Sequence, residues 1–152
     1  MGDVLRHVGI VVSNLENAIN LYTNLFGFEL KVRFNNVSGQ HVDKLVGIKN
    51  ASYDVAIIKL PDNNRLELIE YQSQKGVKRN PVKSNDIGCS HFALSVEDIE
   101  KIYRMRKNFP IEFVNPPHFD GAVIVAYAVV MDECLLEIVQ VMDEKARFSG
   151  GF

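Results

Sequence analysis

Cys89-Ser90-His91-Phe92-Ala93-Leu94-Ser95-Val96-Glu97-Asp98 decides the fold, because Arg6-His7-Val8-Gly9-Ile10-Val11-Val12-Ser13-Asn14-Leu15 repeats its pattern. In both, a histidine opens an alternating stretch and a serine follows where a helix is due to begin. The two histidines stand 91 − 7 = 84 positions apart. Further on, Arg65-Leu66-Glu67-Leu68-Ile69 matches Leu135-Leu136-Glu137-Ile138-Val139 at an offset of 137 − 67 = 70. One module used twice accounts for both offsets, provided the first copy carries its extra residues in 35–52. Each copy then brings one His and one Glu.

Working outward, His91, Ala93 and Ser95 share one strand face, with Phe92, Leu94 and Val96 on the other. His7, Gly9 and Val11 likewise oppose Val8, Ile10 and Val12, a small and polar face against a bulky apolar one. Ser13 with Glu16, and Ser95 with Asp98, have the spacing of a helix cap and its partner. Leu15, Ala18, Ile19, Tyr22, Leu25 and Phe26 then recur at helical intervals up to Gly27. Ile99, Ile102, Tyr103 and Arg106 make a second stripe, which has to end before Pro110.

Strands are expected at 28–34, 53–60 and 65–71 in the first copy, with a short helix inside 41–46. The turn Pro61-Asp62-Asn63-Asn64 suits a tight hairpin, since Asn and Asp tolerate positive φ. In the second copy strands are expected at 111–114, 123–130 and 135–141, with a Pro-rich loop at 115–121. The fold class is therefore α+β, built from two β-α-β-β-β modules in a single domain. Module 1 spans about 4–72, a linker 73–87, module 2 about 88–142 and a C-terminal tail 143–152.

The composition bounds the function. Of 152 residues, 47% are apolar and 24% charged, as in ordinary globular chains. A net charge of −2 with scattered Lys and Arg leaves no electrostatic footprint for nucleic acid or an anionic membrane. No apolar run approaches the roughly 20 residues of a membrane helix, and Met1-Gly2-Asp3-Val4 does not open a secretory leader. A cytoplasmic protein is expected. Cys89 and Cys134 are too few for a disulfide framework and form no Cys-x-x-Cys unit, so both are expected reduced and buried on strands.

An unpaired ionisable group inside an apolar sheet is costly and takes up or sheds a proton instead. Taken singly, a strand His or Glu is more often solvated or hydrogen-bonded than a ligand. The case for His7, Glu67, His91 and Glu137 is that they form two matched pairs, each on the first and last strands of its module. A pseudo-twofold pairing of modules brings them to one centre. Two imidazoles and two carboxylates neutralise one divalent cation and suit Zn, Ni, Co, Mn or Fe(II), with open positions for water or substrate.

The chain resembles the vicinal oxygen chelate superfamily, which includes glyoxalases, methylmalonyl-CoA epimerases, extradiol dioxygenases and fosfomycin or bleomycin resistance proteins. The resemblance is carried by Arg6-His7-Val8-Gly9-Ile10-Val11-Val12, by Tyr22-x-x-x-Phe26-Gly27-Phe28 and by the segment 60–70. Gly88-Cys89-Ser90-His91-Phe92-Ala93 and Leu135-Leu136-Glu137-Ile138 complete it. It implies paired half-barrel modules forming a curved, barrel-like sheet around a metal cavity, with His7, Glu67, His91 and Glu137 as ligands. Glu67, rather than Glu70, is the counterpart of Glu137. The second copy departs from the usual turn ahead of its ligand strand, reading Val130-Met131-Asp132-Glu133-Cys134.

The resemblance further implies a metal-dependent lyase or isomerase that moves a proton beside a polarised carbonyl of a small carbonyl or thioester substrate. Glu137 is the first candidate for the general base and Glu67 the second. Tyr127 either lines the cavity or faces outward, depending on the hairpin register. An extradiol-type dioxygenase is the alternative enzyme, and a bleomycin-resistance-like binding protein without turnover the alternative outside catalysis. Association as a homodimer is expected, with a small-molecule substrate as ligand.

Overall fold

The structure is a computed structural model in which residues 4–78, 83–132 and 134–142 are described. The tail expected at 143–152 and the linker residues 79–82 lie outside the described residues. Two compact units make up the chain, Met1–Lys78 and Arg79–Phe152.

The first unit runs β1 (Val8–Val11), α1 (Leu15–Asn20), β2 (Glu29–Ser38), α2 (Gln40–Val46), β3 (Ser52–Lys59) and β4 (Arg65–Tyr71). Its sheet has the order β1-β4-β3-β2. β1 lies parallel to β4, and β3 is antiparallel to both β4 and β2. His7 stands one residue ahead of β1. The β2–β3 ladder slips twice, between Leu30 and Val32 and between Phe34 and Val37. β2 is longer than the expected 28–34, and α2 falls where the short helix is expected.

Helix α1 packs on β3 and β4. Leu15, Ala18, Ile19, Tyr22 and Leu25 are buried, together with Ala56, Ile58, Leu66 and Leu68 from the sheet, and each large side chain contributes roughly 1.5–3 kcal/mol by leaving water. Leu21, at the border of the helical stripe three residues after Ala18, is also fully buried, and Leu21–Leu25 forms a π-helical turn. Gly27 ends the segment at φ +73°, a conformation that carries little cost only without a Cβ.

The second unit runs β5 (His91–Ser95), α3 (Ile99–Met105), β6 (Ile111–Phe113), β7 (His118–Phe119), β8 (Val123–Val130) and β9 (Cys134–Val141). Its order is β5-β9-β8-β6, with β7 also on β8. The parallel β5–β9 pair repeats β1–β4, and β8–β9 repeats the β3–β4 hairpin. Ile99 and Ile102 of α3 are buried with Ala126, Ala128, Val130, Leu136 and Ile138. Each sheet is open at its edges among the described residues, and the α+β class with two β-α-β-β-β modules stands.

Three local expectations are corrected. The helix caps are Asn14 and Asp98, whose Oδ1 atoms accept from the Asn17 and Lys101 amides at 2.8 Å, rather than Ser13 and Ser95. Val12 and Val96 still donate to Ile69 and Val139 as extensions of their ladders, so the chain leaves the sheet too late for the serines to cap. The 115–121 segment is not all loop, because His118 and Phe119 pair with Val125 and Ile124. Cys89 and Cys134 are half-buried rather than buried; Cys134 opens β9, and Cys89 precedes β5.

Candidate functional site

In the first unit the parallel register sets Gly9 beside Glu67. With His7 two residues ahead of Gly9, the alternation of the strand puts imidazole and carboxylate on one face. His7 Nε2 lies 3.2 Å from a Glu67 carboxylate oxygen, the side chains being 36% and 29% exposed. A Cβ at Gly9 would sit 3.8 Å from that carboxylate, so a small residue there keeps the space between the two groups open.

The second unit builds the same pair from the same parts. Ala93 sits beside Glu137, His91 is two residues ahead of it, and His91 Nε2 lies 3.2 Å from Glu137 Oε2. Within either unit, among the described residues, no third His, Cys, Asp or Glu joins the pair. Bonds of about 2.0–2.2 Å from a divalent cation set adjacent donors roughly 3.0 Å apart at right angles and roughly 3.4 Å apart at the tetrahedral angle. The 3.2 Å of each pair falls in that interval, and it is also the long end of an ordinary N–H···O bond. One imidazole nitrogen and one carboxylate per unit is thus a donor set that fits half of such an ion's needs.

Glu70, the neighbouring carboxylate, has a different task. Its Oε2 accepts from the Leu15 amide at 2.8 Å, at the first turn of α1. In the second unit Gln140 Oε1 accepts from the Ile99 amide at 3.0 Å, at the first turn of α3. Strand and helix are tied in the same way in both, and Glu70 is thereby separated from Glu67. The signal was in the sequence, since Glu70 and Gln140 share the 70-residue offset of the two glutamates.

Tyr127 is resolved by the hairpin register. It stands opposite Glu137, and its hydroxyl lies 3.2 Å from His91 Nε2. The two rings meet edge to face with centroids 5.1 Å apart. Burial, then the Glu137 charge and hydrogen bond, and last Cys89 push the Tyr127 phenol above its ordinary value of 10.0. Burial and the Glu67 charge, with Tyr71 behind them, likewise raise Tyr53. Tyr53 and Tyr71 pair across β3 and β4 with ring centroids 5.5 Å apart.

A cavity of about 500 Å³ also opens in the second unit, beside Tyr103, Arg106, Phe109 and Phe113, and it includes none of His91, Tyr127 and Glu137. Arg106 is stacked 3.7 Å over the Tyr103 ring and donates to the Tyr103 carbonyl, so its charge serves the end of α3. Lys107 and Glu112 also line the cavity, and neither His–Glu pair does.

Comparison with known proteins places the fold in a family. Methylmalonyl-CoA epimerase, mitochondrial, of Dictyostelium discoideum is 25% identical over 139 residues, covering 88% of this chain and 76% of the relative. A glyoxalase family protein from Bacillus cereus superposes with a TM-score of 0.82 at 22% identity, covering 93% of this chain and 97% of its own. A fosfomycin resistance protein from Listeria monocytogenes, complexed with Mn(II) and sulfate, does so with a TM-score of 0.62 at 15% identity, covering 97% and 100%. These two structures share the fold. Residues 6–127 match the family model described as glyoxalase/bleomycin resistance protein/dioxygenase superfamily, and to that superfamily the chain belongs.

Proposed function

We propose that His7, Glu67, His91 and Glu137 jointly hold one divalent cation, and that the protein is a metal-dependent lyase or isomerase of glyoxalase or epimerase type. The observation that carries this is the duplicated pair: the same two donor types, on equivalent strands, at the same 3.2 Å. The Dictyostelium relative, by its name an epimerase of a coenzyme A thioester, supports a thioester or small carbonyl substrate. Mn(II) in the Listeria protein supports a cation from the set Zn, Ni, Co, Mn and Fe(II).

A cation held by these four residues would supply Lewis acidity at the substrate carbonyl. Glu137 takes the proton from the adjacent carbon, and the C–H electron pair moves onto the carbonyl oxygen. Glu67, on the other module, is the second candidate for this role. Delivery of a proton to the opposite face of the same carbon, by whichever of Glu137 and Glu67 did not take the first, is epimerisation; return of the proton to the neighbouring carbon is isomerisation of glyoxalase type.

The stoichiometry tests the joint site. One metal per chain, lost from both His7→Ala and His91→Ala, is the expected result. Two metals per chain, with each variant keeping one, would mean that each pair works alone. Activity is read as deuterium entering the carbon beside the carbonyl in D2O, with methylmalonyl-CoA and with a thiol hemithioacetal of a 2-oxoaldehyde as probes. Metal-loaded protein that exchanges neither overturns the lyase or isomerase reading. The working form is a homodimer in this proposal, and a single-chain mass in sedimentation at micromolar concentration counts against it.

A further inference from the structure

The two modules agree at both metal-binding positions and differ at the position facing the carboxylate. Opposite Glu67 stands Ile57; opposite Glu137 stands Tyr127. These are equivalent sites, 70 residues apart like the glutamates they face. A group that served only to pack the sheet could be an isoleucine in both. Instead the second module has a hydroxyl 3.2 Å from His91 Nε2, aligned in register with the carboxylate that forms the rest of the pair.

A phenol is a hydrogen-bond donor at neutral pH. Once the Nε2 lone pair of His91 is given to a cation, that nitrogen no longer accepts the phenol proton. The hydroxyl then points to Glu137 or to whatever oxygen lies beside the pair. Ile57 offers nothing of the kind to an oxygen on the first module's side.

We propose, resting on the metal-dependent proton-transfer reading above, that Tyr127 is a catalytic residue. Its hydroxyl donates a hydrogen bond to the substrate oxygen that gains negative charge as the proton leaves carbon. The substrate is thereby asymmetric in the site, its carbonyl oxygen lying toward the pair of the second module. A fixed neutral donor aimed at developing charge acts in the transition state more than in the ground state. No bond to Tyr127 forms or breaks, and its proton stays on the phenol.

Tyr127→Phe removes the hydroxyl and keeps the ring against His91. We expect full metal content and a fall in kcat on the order of 10²-fold, the usual loss for one such donor, with KM changed far less. Isothermal titration of the Zn(II)-loaded protein with acetohydroxamate, an oxyanion probe, supplies a readout apart from turnover. Affinity should fall by about tenfold or more in Y127F, the equivalent of about 1.4 kcal/mol. Equal affinity in the two proteins overturns the proposal while leaving the metal site intact. Loss of the metal along with the probe also overturns it, because Tyr127 would then act through His91. Wild-type protein that takes up no metal overturns both this inference and the reading beneath it.

Discussion

Set side by side, the two modules compare in three distinct ways, and each teaches something different. At the helix starts the geometry repeats while the side chain changes: Asn14 becomes Asp98, and Glu70 becomes Gln140. Any acceptor of the right reach satisfies an orphan amide there. At His7 and His91, and at Glu67 and Glu137, both geometry and chemistry repeat. At Ile57 and Tyr127 the backbone repeats and the chemistry parts company. Packing tolerates the first kind of change; the proposed cation would account for the second, and the proposed role of Tyr127 for the third.

The largest effect expected is at the repeated pairs. His7→Ala and His91→Ala should each lower metal affinity by more than the roughly 100-fold typical of losing an outer-shell partner, and by similar factors, as measured by competition with a chelator. Unequal losses would make one module the principal holder and the other an accessory. The hydroxyl at Tyr127 comes next, through catalysis and probe affinity rather than metal content.

Smaller effects sharpen the comparison of helix starts. Glu70→Ala and Gln140→Ala should each destabilise by about 1 kcal/mol, as loss of a capping acceptor does, read as a shift in urea midpoint. Glu70→Gln should cost under about 0.5 kcal/mol, because Gln140 already does the same work with an amide. The exposed Lys75, 3.9 Å from Glu70, adds little. A loss in Glu70→Gln as large as in Glu70→Ala would show instead that the carboxylate charge on the helix dipole matters.

The hairpins give the smallest change, and it is a gain. Asn63 takes φ +67° in the first hairpin, and Met131 takes φ +46° in the second. Asn accepts left-handed backbone through local hydrogen bonding, and Met does not. Met131→Asn should therefore raise stability by up to about 1 kcal/mol, and an unchanged urea midpoint would place no strain at this turn.

Much of this was legible in the sequence because duplication is a strong signal. The 84-residue offset of His7 and His91 and the 70-residue offset of Glu67 and Glu137 gave the modules, and apolar alternation gave the inner and outer strand faces. Tyr127 could have been placed too: if the second hairpin pairs as the first does, the 70-residue offset puts it opposite Glu137. The caps were hidden because Ser13-x-x-Glu16 imitates a capping box, while the extension of each ladder through Val12 and Val96 depends on contacts far along the chain. Leu21 sits at the border of the α1 stripe, three residues after Ala18, and its burial widens that stripe; the π turn itself has no periodicity to read. The two residues of β7 carry too short a pattern to read as a strand.

One feature of the first sheet bears on how the protein behaves at high concentration. β2 is ten residues long and ends its sheet, which would ordinarily offer a row of unpaired amides to any passing extended chain. Its two register slips, the left-handed Asn36 and the exposed Lys31 and Arg33, each engaged with a carboxylate, break that row into short, misaligned pieces. A foreign strand would find no template of matching pitch along β2, which is how irregular, charged edge strands resist cross-β pairing.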